Sequence, residues 1–439
     1  MQLEFNSQDV SEGAHRLKTA QRATGAIPSN IFGASRAALM VLSVACVMNL
    51  LARGFMETHA IFMLSLEEEF SWTRTDVSGV YSIAMLTFGL TGPWVGFLLD
   101  RLGPPKIYTL GLLLIIAGLV LSSISSSLWS FRISQGLMMG LGAGCLSTVS
   151  LTALLSRWFQ SFLSIAMAFA YASAGIGIMF FSPMVETLNT EFGWRFGYQI
   201  MALIGLLGLP LTFILYWLKA DEGNPVLLAR IVKSGGMNPR VQGIGVKQAI
   251  QKVEFWGLTW VYFITGIGSF TVLLQTPAYL VEMGYSTAFA ARAFGFVGLL
   301  SPLGIIGITV LSRRFGQSPV ILVSYLLSLL GVVFLLLFEQ TSSMILLILF
   351  ILCYGGTFGC RAPAIGHLAA QNFNGPSMGR IYGLITIASG LGGATGSYLG
   401  GYFYEISGHY QLGAFFSIGM FLIGNLPFWV ISGLSRWKA

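Results

Sequence analysis

Between two long apolar segments the sequence reads Gly96-Phe97-Leu98-Leu99-Asp100-Arg101-Leu102-Gly103-Pro104-Pro105-Lys106. A shorter version of this loop, Leu311-Ser312-Arg313-Arg314-Phe315-Gly316, follows after about half the length of the chain. Both loops combine a glycine with basic residues, and both lie between apolar runs that are long enough to cross a bilayer. A repeat of this kind predicts two copies of one membrane bundle, an organisation typical of transporters with internal repeats.

The composition indicates that lipid is the solvent of this chain. Of its 439 residues 55% are hydrophobic and 9% are charged, whereas soluble domains carry about 25% charged residues. Twelve apolar segments have roughly the 20 residues that a membrane-spanning helix needs, and they are too long and continuous for the strands of a β-barrel. They lie near residues 36–64, 77–99, 107–127, 129–154, 160–185, 197–218, 254–279, 287–311, 318–338, 343–369, 379–403 and 411–434. We therefore expect an all-α membrane protein with twelve transmembrane helices in two pseudo-symmetric six-helix bundles.

The polar segments between the apolar runs predict the domain organisation and the orientation. Most of the 24 Lys and Arg residues lie in the N-terminal tail and the even-numbered loops, and such loops stay in the cytoplasm. Both termini are therefore expected on the cytoplasmic side of the cell (inner) membrane. The net charge of +7 then describes the cytoplasmic face, so no nucleic-acid partner is needed. The expected parts are a cytoplasmic tail (1–35), an N-terminal six-helix bundle (36–218), a cytoplasmic linker (219–253), a C-terminal six-helix bundle (254–435) and a cytoplasmic C-terminus (436–439).

Charged residues inside the apolar segments are the candidates for function. Asn49, Arg53 and Glu57 are spaced four apart in the first segment and so share one helical face. Charge at this depth usually faces a bundle interior or a watery cavity. The alternative is a private Arg53–Glu57 ion pair that only fixes packing. Arg361 is the intramembrane cation of the second half.

Two cations from opposite halves would make a central cavity positive, and a guanidinium binds a carboxylate through paired hydrogen bonds. The candidate substrate-binding residues are Arg53, Arg361, Asn49, Gln275 and Tyr354. Of these, Gln275 and Tyr354 have plain packing as their alternative. Glu57 is the best candidate for carrying a proton. His367 is a second candidate, although a lone His inside an apolar segment is often just a packed polar residue.

The loop at 96–106 resembles the signature between the second and third spans of the major facilitator superfamily, a Gly followed by an Asp-Arg-x-Gly cluster and a trailing base. The resemblance implies a cytoplasmic latch that is stable in the outward-open state, whereas the alternative is that these charges only set the topology. Pro104-Pro105 stands where the family usually has basic residues. The latch residues are Gly96, Asp100, Arg101, Gly103 and Lys106, with Arg313 and Arg314 from the second loop.

Shorter stretches indicate a branch of that superfamily. Residues 68–78, Glu-Glu-Phe-Ser-Trp-Thr-Arg-Thr-Asp-Val-Ser, resemble the segment after the first span in monocarboxylate-transporter-like and oxalate/formate-antiporter-like members. There are also departures. Animal monocarboxylate transporters carry an Asp and an Arg where this chain has Val297 and Ser301. The branch often has a cation near Glu57, so lactate or pyruvate is not assumed as substrate.

The sequence as a whole predicts a secondary active transporter that moves a small organic anion, a mono- or dicarboxylate, by alternating access with coupling to protons. The alternatives are an exporter or exchanger of a larger amphipathic solute and a non-transporting membrane sensor on the same fold. An enzyme is not expected, because the sequence has no phosphate-binding Gly-Lys motif, no metal-ligand cluster and no nucleophile elbow. We expect no cofactor and no metal. The expected partners are the lipid bilayer, the anionic substrate and protons, and the superfamily fold implies a monomer.

Overall fold

The computed structural model describes residues 36–159, 163–220, 223, 244–373 and 377–434. The expected tail at 1–35, most of the linker at 219–253 and the C-terminus at 436–439 lie outside the described residues.

The described residues form twelve long helical elements. They are α1 (Arg36–Phe70), α2 (Arg74–Leu102), α3 (Pro104–Ser123), α4 (Leu128–Ser156), α5 (Leu163–Phe192), α6 (Trp194–Trp217), α7 (Val253–Glu282), α8 (Thr287–Phe315), α9 (Gln317–Thr341), α10 (344–372), α11 (Met378–Ser407) and α12 (Gln411–Val430). Ten of them contain a stretch long and apolar enough to cross a membrane, the exceptions being the interrupted α10 and the glycine-rich α11. A short helix, Val246–Ile250, precedes α7. The expectation of an all-α membrane protein with twelve membrane helices is confirmed.

Corresponding helices of the two halves are interrupted at corresponding places. Helix α1 breaks at Thr58, whose hydroxyl donates to the Phe55 carbonyl, and α7 breaks at Gln275. Helix α4 contains a π-helical segment, Arg132–Met138, and α10 contains another, Ile351–Gly355. These shared interruptions are the structural form of the pseudo-symmetry that the repeated loop predicted.

The repeated loop is also a repeated backbone conformation. Gly103 ends α2 and begins α3 with φ 78° and ψ 160°, and Gly316 ends α8 and begins α9 with φ 89° and ψ 164°. A positive φ of this size is accessible to glycine and strained for other residues. Each half therefore joins its second and third helices by the same tight glycine turn.

The two halves meet along two antiparallel helix pairs, α2 with α11 and α5 with α8, in which glycines lie at the crossing. A Cβ placed on Gly89 would lie 2.6 Å from the Cα of Gly390, and one on Gly175 would lie 2.1 Å from the carbonyl oxygen of Gly298. Small residues let membrane helices pack backbone against backbone. The side of the bundle on which Arg36 and the α2–α3 turn lie is called the termini side below, and the other is the opposite side.

Candidate functional site

A cavity of about 1690 Å³ lies between the two halves. The N-terminal half lines it with residues of α2, α4 and α5, and the C-terminal half lines it with residues of α8, α10 and α11. All of these residues lie in the termini-side portions of their helices, and the lining extends to Gly316 and Ser377 in the connecting loops. The cavity therefore opens on the termini side.

On the opposite side, Arg74 at the start of α2 joins the two halves. Its Nε lies 2.8 Å from Glu67 Oε1 as an ion pair, and its NH1 donates to the Tyr410 hydroxyl of the C-terminal half at 2.9 Å. Its guanidinium also lies 4.6 Å from the centre of the Tyr404 ring. Arg74 is only 9% exposed, so the contact excludes water from the boundary between the halves.

Further hydrogen bonds extend this closure. Gln275 Nε2 donates to the Ser78 hydroxyl at 2.9 Å, Ser82 donates to the Ala394 carbonyl at 2.7 Å, and Thr287 donates to a Glu186 carboxylate oxygen at 2.6 Å. Each of these bonds crosses from one half to the other. The structure is therefore open on the termini side and sealed on the opposite side.

Arg53, Glu57 and Tyr81 form a chain of charge-assisted hydrogen bonds between α1 and α2. Arg53 NH2 donates to Glu57 Oε1 at 2.5 Å, and the Tyr81 hydroxyl donates to Glu57 Oε2 at 2.6 Å. Glu57 is buried, whereas 18% of the Arg53 side chain is accessible. The Arg53 guanidinium lies 5.2 Å from the centre of the Phe88 ring, and Phe88 is one helical turn from Gly92 in the cavity wall. The hydrogen-bonded residues Arg53, Glu57 and Tyr81 thus lie near the closed end of the cavity.

Asn49 belongs to the packing between helices rather than to this chain of bonds. Its amide nitrogen donates to the Ala170 carbonyl of α5 at 2.7 Å and to the Ser173 hydroxyl at 3.2 Å. The shared helical face was predicted correctly, but the donors of Asn49 are used to hold α1 against α5. It is not among the residues that line the cavity.

The position of Arg361 corrects the expectation that two arginines flank one cavity. Arg361 Nε donates to the Ser324 hydroxyl at 2.9 Å, and its NH2 donates to the Ser324 carbonyl and the Ser328 hydroxyl, both at 2.6 Å. The guanidinium lies 4.2 Å from the centre of the Tyr325 ring. With 3% exposure, the residue is buried among α9, α10 and α12, because α10 is interrupted just before it and the following segment turns this side chain into the C-terminal bundle.

We expect Arg361→Ala to reduce stability rather than substrate affinity. The change removes three hydrogen bonds from a charged donor, each worth about 1.5–3 kcal/mol, and the contacts of the guanidinium with the Tyr325 and Phe421 rings. Thermal unfolding of the purified protein should show a clearly lower Tm, with Arg292→Ala, an exposed position, as the matched control. An unchanged Tm together with lost substrate binding would show instead that Arg361 binds the substrate.

The remaining candidates lie apart from one another. The Tyr354 hydroxyl donates to the Ser269 carbonyl inside the C-terminal bundle, and Gln275 lies in the seal. His367 is exposed and lines the cavity, where its Nε2 is 2.9 Å from Gln371 Nε2. Of the residues proposed for substrate and proton binding, only His367 lies in the cavity wall.

The residues predicted to form a latch lie in or next to the α2–α3 and α8–α9 turns on the termini side. Gly96 lines its wall, the Arg101 guanidinium lies 4.2 Å from the centre of the Phe97 ring, and that of Arg314 lies 5.4 Å from the centre of the Phe315 ring. Lys106 is exposed. The side chains of Asp100 and Arg313 lie outside the described part. Within that part no ion pair joins Arg101, Lys106 or Arg314 to an acid.

Two tyrosines of the cavity wall were not found from the sequence. Tyr171 of α5 lies near Thr148 and Thr152 of α4. Tyr382 of α11 shares a hydrogen bond of 2.9 Å with Tyr262 of α7. A tyrosine within an apolar run predicts packing as readily as binding, so no local signal separates these two from the others.

Comparison with known proteins agrees with this architecture. The family model described as Major Facilitator Superfamily matches residues 42–397 and 309–436. Monocarboxylate transporter 13 of Rattus norvegicus is 26% identical over 399 residues, which cover 88% of each chain. The MFS transporter asaE of Aspergillus flavus is 24% identical over 86% of this chain and 80% of its own. Among solved structures, the inward-open conformation of the xylose transporter XylE from E. coli has a TM-score of 0.71 at 16% identity and covers 91% of this chain and 100% of its own.

The family model covers most of the chain, the twelve helices have the arrangement of its solved relatives, and the curated relatives are transporters rather than enzymes. The chain therefore belongs to the Major Facilitator Superfamily, as a membrane transporter of the monocarboxylate-transporter-like branch.

Proposed function

We propose that this transporter moves a small organic anion, a mono- or dicarboxylate, together with protons across the cell (inner) membrane, and that it works as a monomer. The observation that carries the proposal is the Arg53–Glu57–Tyr81 chain near the closed end of the cavity. Intramembrane ionisable residues of this kind usually mark substrate or ion pathways. The printed name of the rat relative supports a carboxylate as the substrate class.

The hydrogen bonds among Arg53, Glu57 and Tyr81 can couple binding of the anion to binding of the proton. With Glu57 ionised, Arg53 is occupied by Glu57. Protonation of Glu57 removes the charge that holds the guanidinium, and Arg53 is then free to bind a substrate carboxylate through paired hydrogen bonds. When the anion leaves, Arg53 again favours the ionised form of Glu57, and the proton is released. Proton and anion therefore bind together and leave together.

The Tyr81 hydroxyl keeps the Glu57 side chain in place during this exchange. It donates to Glu57 Oε2, the oxygen that Arg53 does not contact. The carboxyl group therefore keeps one hydrogen-bond partner when the guanidinium turns to the substrate, and so avoids the cost of a fully unsatisfied buried polar group.

The orientation is part of the proposal. The excess of Lys and Arg on the termini side favours a cytoplasmic location for that side. In that orientation the present conformation is inward-open. The latch residues of the 96–106 and 311–316 loops would come into contact in the outward-open conformation. The proposed bundles remain 36–218 and 254–435, with the tail, linker and C-terminus in the cytoplasm.

Purified protein in proteoliposomes tests the substrate and the coupling together. A panel of labelled mono- and dicarboxylates is offered under an imposed pH gradient, and at least one acid should accumulate while neutral and cationic solutes do not. Arg53→Gln should abolish this accumulation, and Arg292→Gln, at an exposed position, should not. Accumulation of neutral or cationic solutes without any acid would refute the proposed substrate class.

A second candidate is export or exchange of a larger amphipathic solute, which the size of the cavity favours. Its volume of about 1690 Å³ exceeds the roughly 300–1,000 Å³ of ordinary small-molecule sites. The same panel, extended to bulky amphipathic acids, distinguishes the two. Transport of the bulky acids alone would favour the second candidate.

A further inference from the structure

A second, much smaller cavity lies inside the C-terminal half, beneath the seal of the opposite side. Its volume is about 20 Å³, and it is lined by residues of α7, α9, α11 and α12. Its polar walls come from Gln275, Thr276, Tyr279, Glu339, Tyr404 and Tyr410. A cavity needs about 10–15 Å³ to hold one water-sized guest. This one has room for a single small ion or water, and its mostly apolar wall contains the polar groups of these six side chains.

Gln275 offers an oxygen without a partner. Its Nε2 donates to the Ser78 hydroxyl of the N-terminal half, which fixes the amide, while its Oε1 is buried and has no hydrogen-bond partner among the described residues. The side chain is 97% buried, since 3% of it is exposed. A buried acceptor without a partner costs about 1–3 kcal/mol. The site therefore lacks a group that would interact with this oxygen.

Glu339 supplies a negative charge to the same cavity. One carboxylate oxygen accepts from the Tyr279 hydroxyl at 3.3 Å, and the other accepts from Gln411 Nε2 at 3.0 Å. Neither partner carries a charge, and Glu339 takes part in none of the ion pairs formed within the described ranges. The carboxylate is thus hydrogen-bonded but has no cation beside it.

The surroundings of the cavity are acidic as well. Glu67 of α1 and Glu282 of α7 both interact electrostatically with Tyr410, and Arg74 of α2 is the base that faces them. Arg74 is paired with Glu67, and Glu282 accepts a hydrogen bond from the Tyr404 hydroxyl at 3.0 Å. Around the tyrosines of the cavity wall the acidic groups therefore outnumber the one basic group, although Glu339 is the acid that lines the cavity itself.

We propose that this cavity binds a monovalent cation, Na⁺, with Gln275 Oε1 and the Glu339 carboxylate as ligands and tyrosine hydroxyls beside them. Carboxylate and carbonyl oxygens are the ligands of hard cations. A single lining carboxylate balances one positive charge, and the volume admits one small ion. Because Ser78 of the other half orients Gln275, the site is complete only while the opposite side is sealed, so bound Na⁺ stabilises the conformation described here.

Thermal unfolding of the purified full-length transporter tests the site without knowledge of the substrate. NaCl is titrated against choline chloride at constant ionic strength and pH. The Tm should rise with the logarithm of the Na⁺ concentration above the Kd, by roughly 1.5 °C at a concentration about ten times the Kd. Glu339→Gln and Gln275→Leu should each lose this shift.

Two control variants isolate the proposed ligands. Ser78→Ala removes the same hydrogen bond between the halves as Gln275→Leu but keeps the amide oxygen, so part of the Na⁺ shift should remain. Glu405→Gln removes an exposed acid of α11 outside the cavity, and the shift should be unchanged. Equal shifts with Na⁺, K⁺ and choline, or a full Na⁺ shift in Glu339→Gln, would overturn the proposal. The comparison of salts on the unmodified protein decides the question even where a variant does not fold.

Discussion

Glu57→Gln is expected to abolish proton-driven accumulation of the anion while exchange of labelled for unlabelled substrate continues. Glutamine keeps the size of the side chain, and its amide oxygen can accept from Arg53 while its amide nitrogen donates to the Tyr81 hydroxyl, so both partners of Glu57 keep a hydrogen bond, but it cannot carry a proton. With one proton per anion, a pH gradient of about one unit supports roughly tenfold accumulation, because both gradients have the same free energy per tenfold ratio. The variant should reach only equal concentrations on the two sides.

Flux assays on one preparation of proteoliposomes measure both activities. Accumulation is followed under an imposed pH gradient, and exchange is followed with equal pH and unlabelled substrate inside. Glu191→Gln, an exposed acid at the end of α5, is the matched control and should behave as the unmodified protein. Intact accumulation in Glu57→Gln would exclude Glu57 as the proton carrier. Loss of both activities with a lowered Tm would mean that the Arg53–Glu57 pair only fixes packing.

Gly89→Ala is expected to prevent full closure of the opposite side. The added Cβ would lie 2.6 Å from the Gly390 Cα, and backbone of a crossing helix cannot move aside as a side chain can. Overpacking of this kind costs roughly 2 kcal/mol, which shifts the equilibrium between the two conformations by a factor on the order of 30. Because the clash exists only in the sealed conformation, the variant should favour the other one and transport slowly.

A cysteine reporter measures this shift. Ala394→Cys lies in the α2–α11 interface and is buried at 7% exposure, so a membrane-impermeant maleimide should label it faster in Gly89→Ala, after subtraction of the label taken up without the reporter. Gly79→Ala is the matched control on the same helix, since its added Cβ would come no nearer than 3.8 Å to Tyr398. Equal labelling rates in the two variants would show that the glycine contact does not limit closure.

The fold was predictable because its signals are local and repeated. Apolar runs of membrane length, a glycine turn that recurs at Gly103 and Gly316, and basic loops on one side need no knowledge of tertiary contacts. The pairing of Arg53 with Glu57 was predictable for the same reason, since residues four apart on a helix are neighbours. Tyr81 was not, because it reaches Glu57 from another helix.

The direction of the Arg361 side chain could not be predicted from the sequence. Its direction was inferred from a regular helix, but α10 contains the π-helical segment Ile351–Gly355 and a turn at Gly359, where φ is +72°. Each interruption changes the rotation per residue, so the face on which a later side chain lies no longer follows from its position in the sequence. Gln275 follows a similar break in α7, and its partner Ser78 comes from the other half.

The pairing of α2 with α11 also affects the synthesis of the protein. Helix α11 lacks a stretch apolar enough to be recognised as a span by composition alone, and several of its glycines pack against α2 or α7. It emerges about 300 residues after α2, which at 5–20 residues per second is a delay of roughly 15–60 s. During that time the part of α2 around Gly89 has not yet met its α11 partner Gly390. The helix pair that seals the mature transporter is thus among the last contacts that the ribosome makes available.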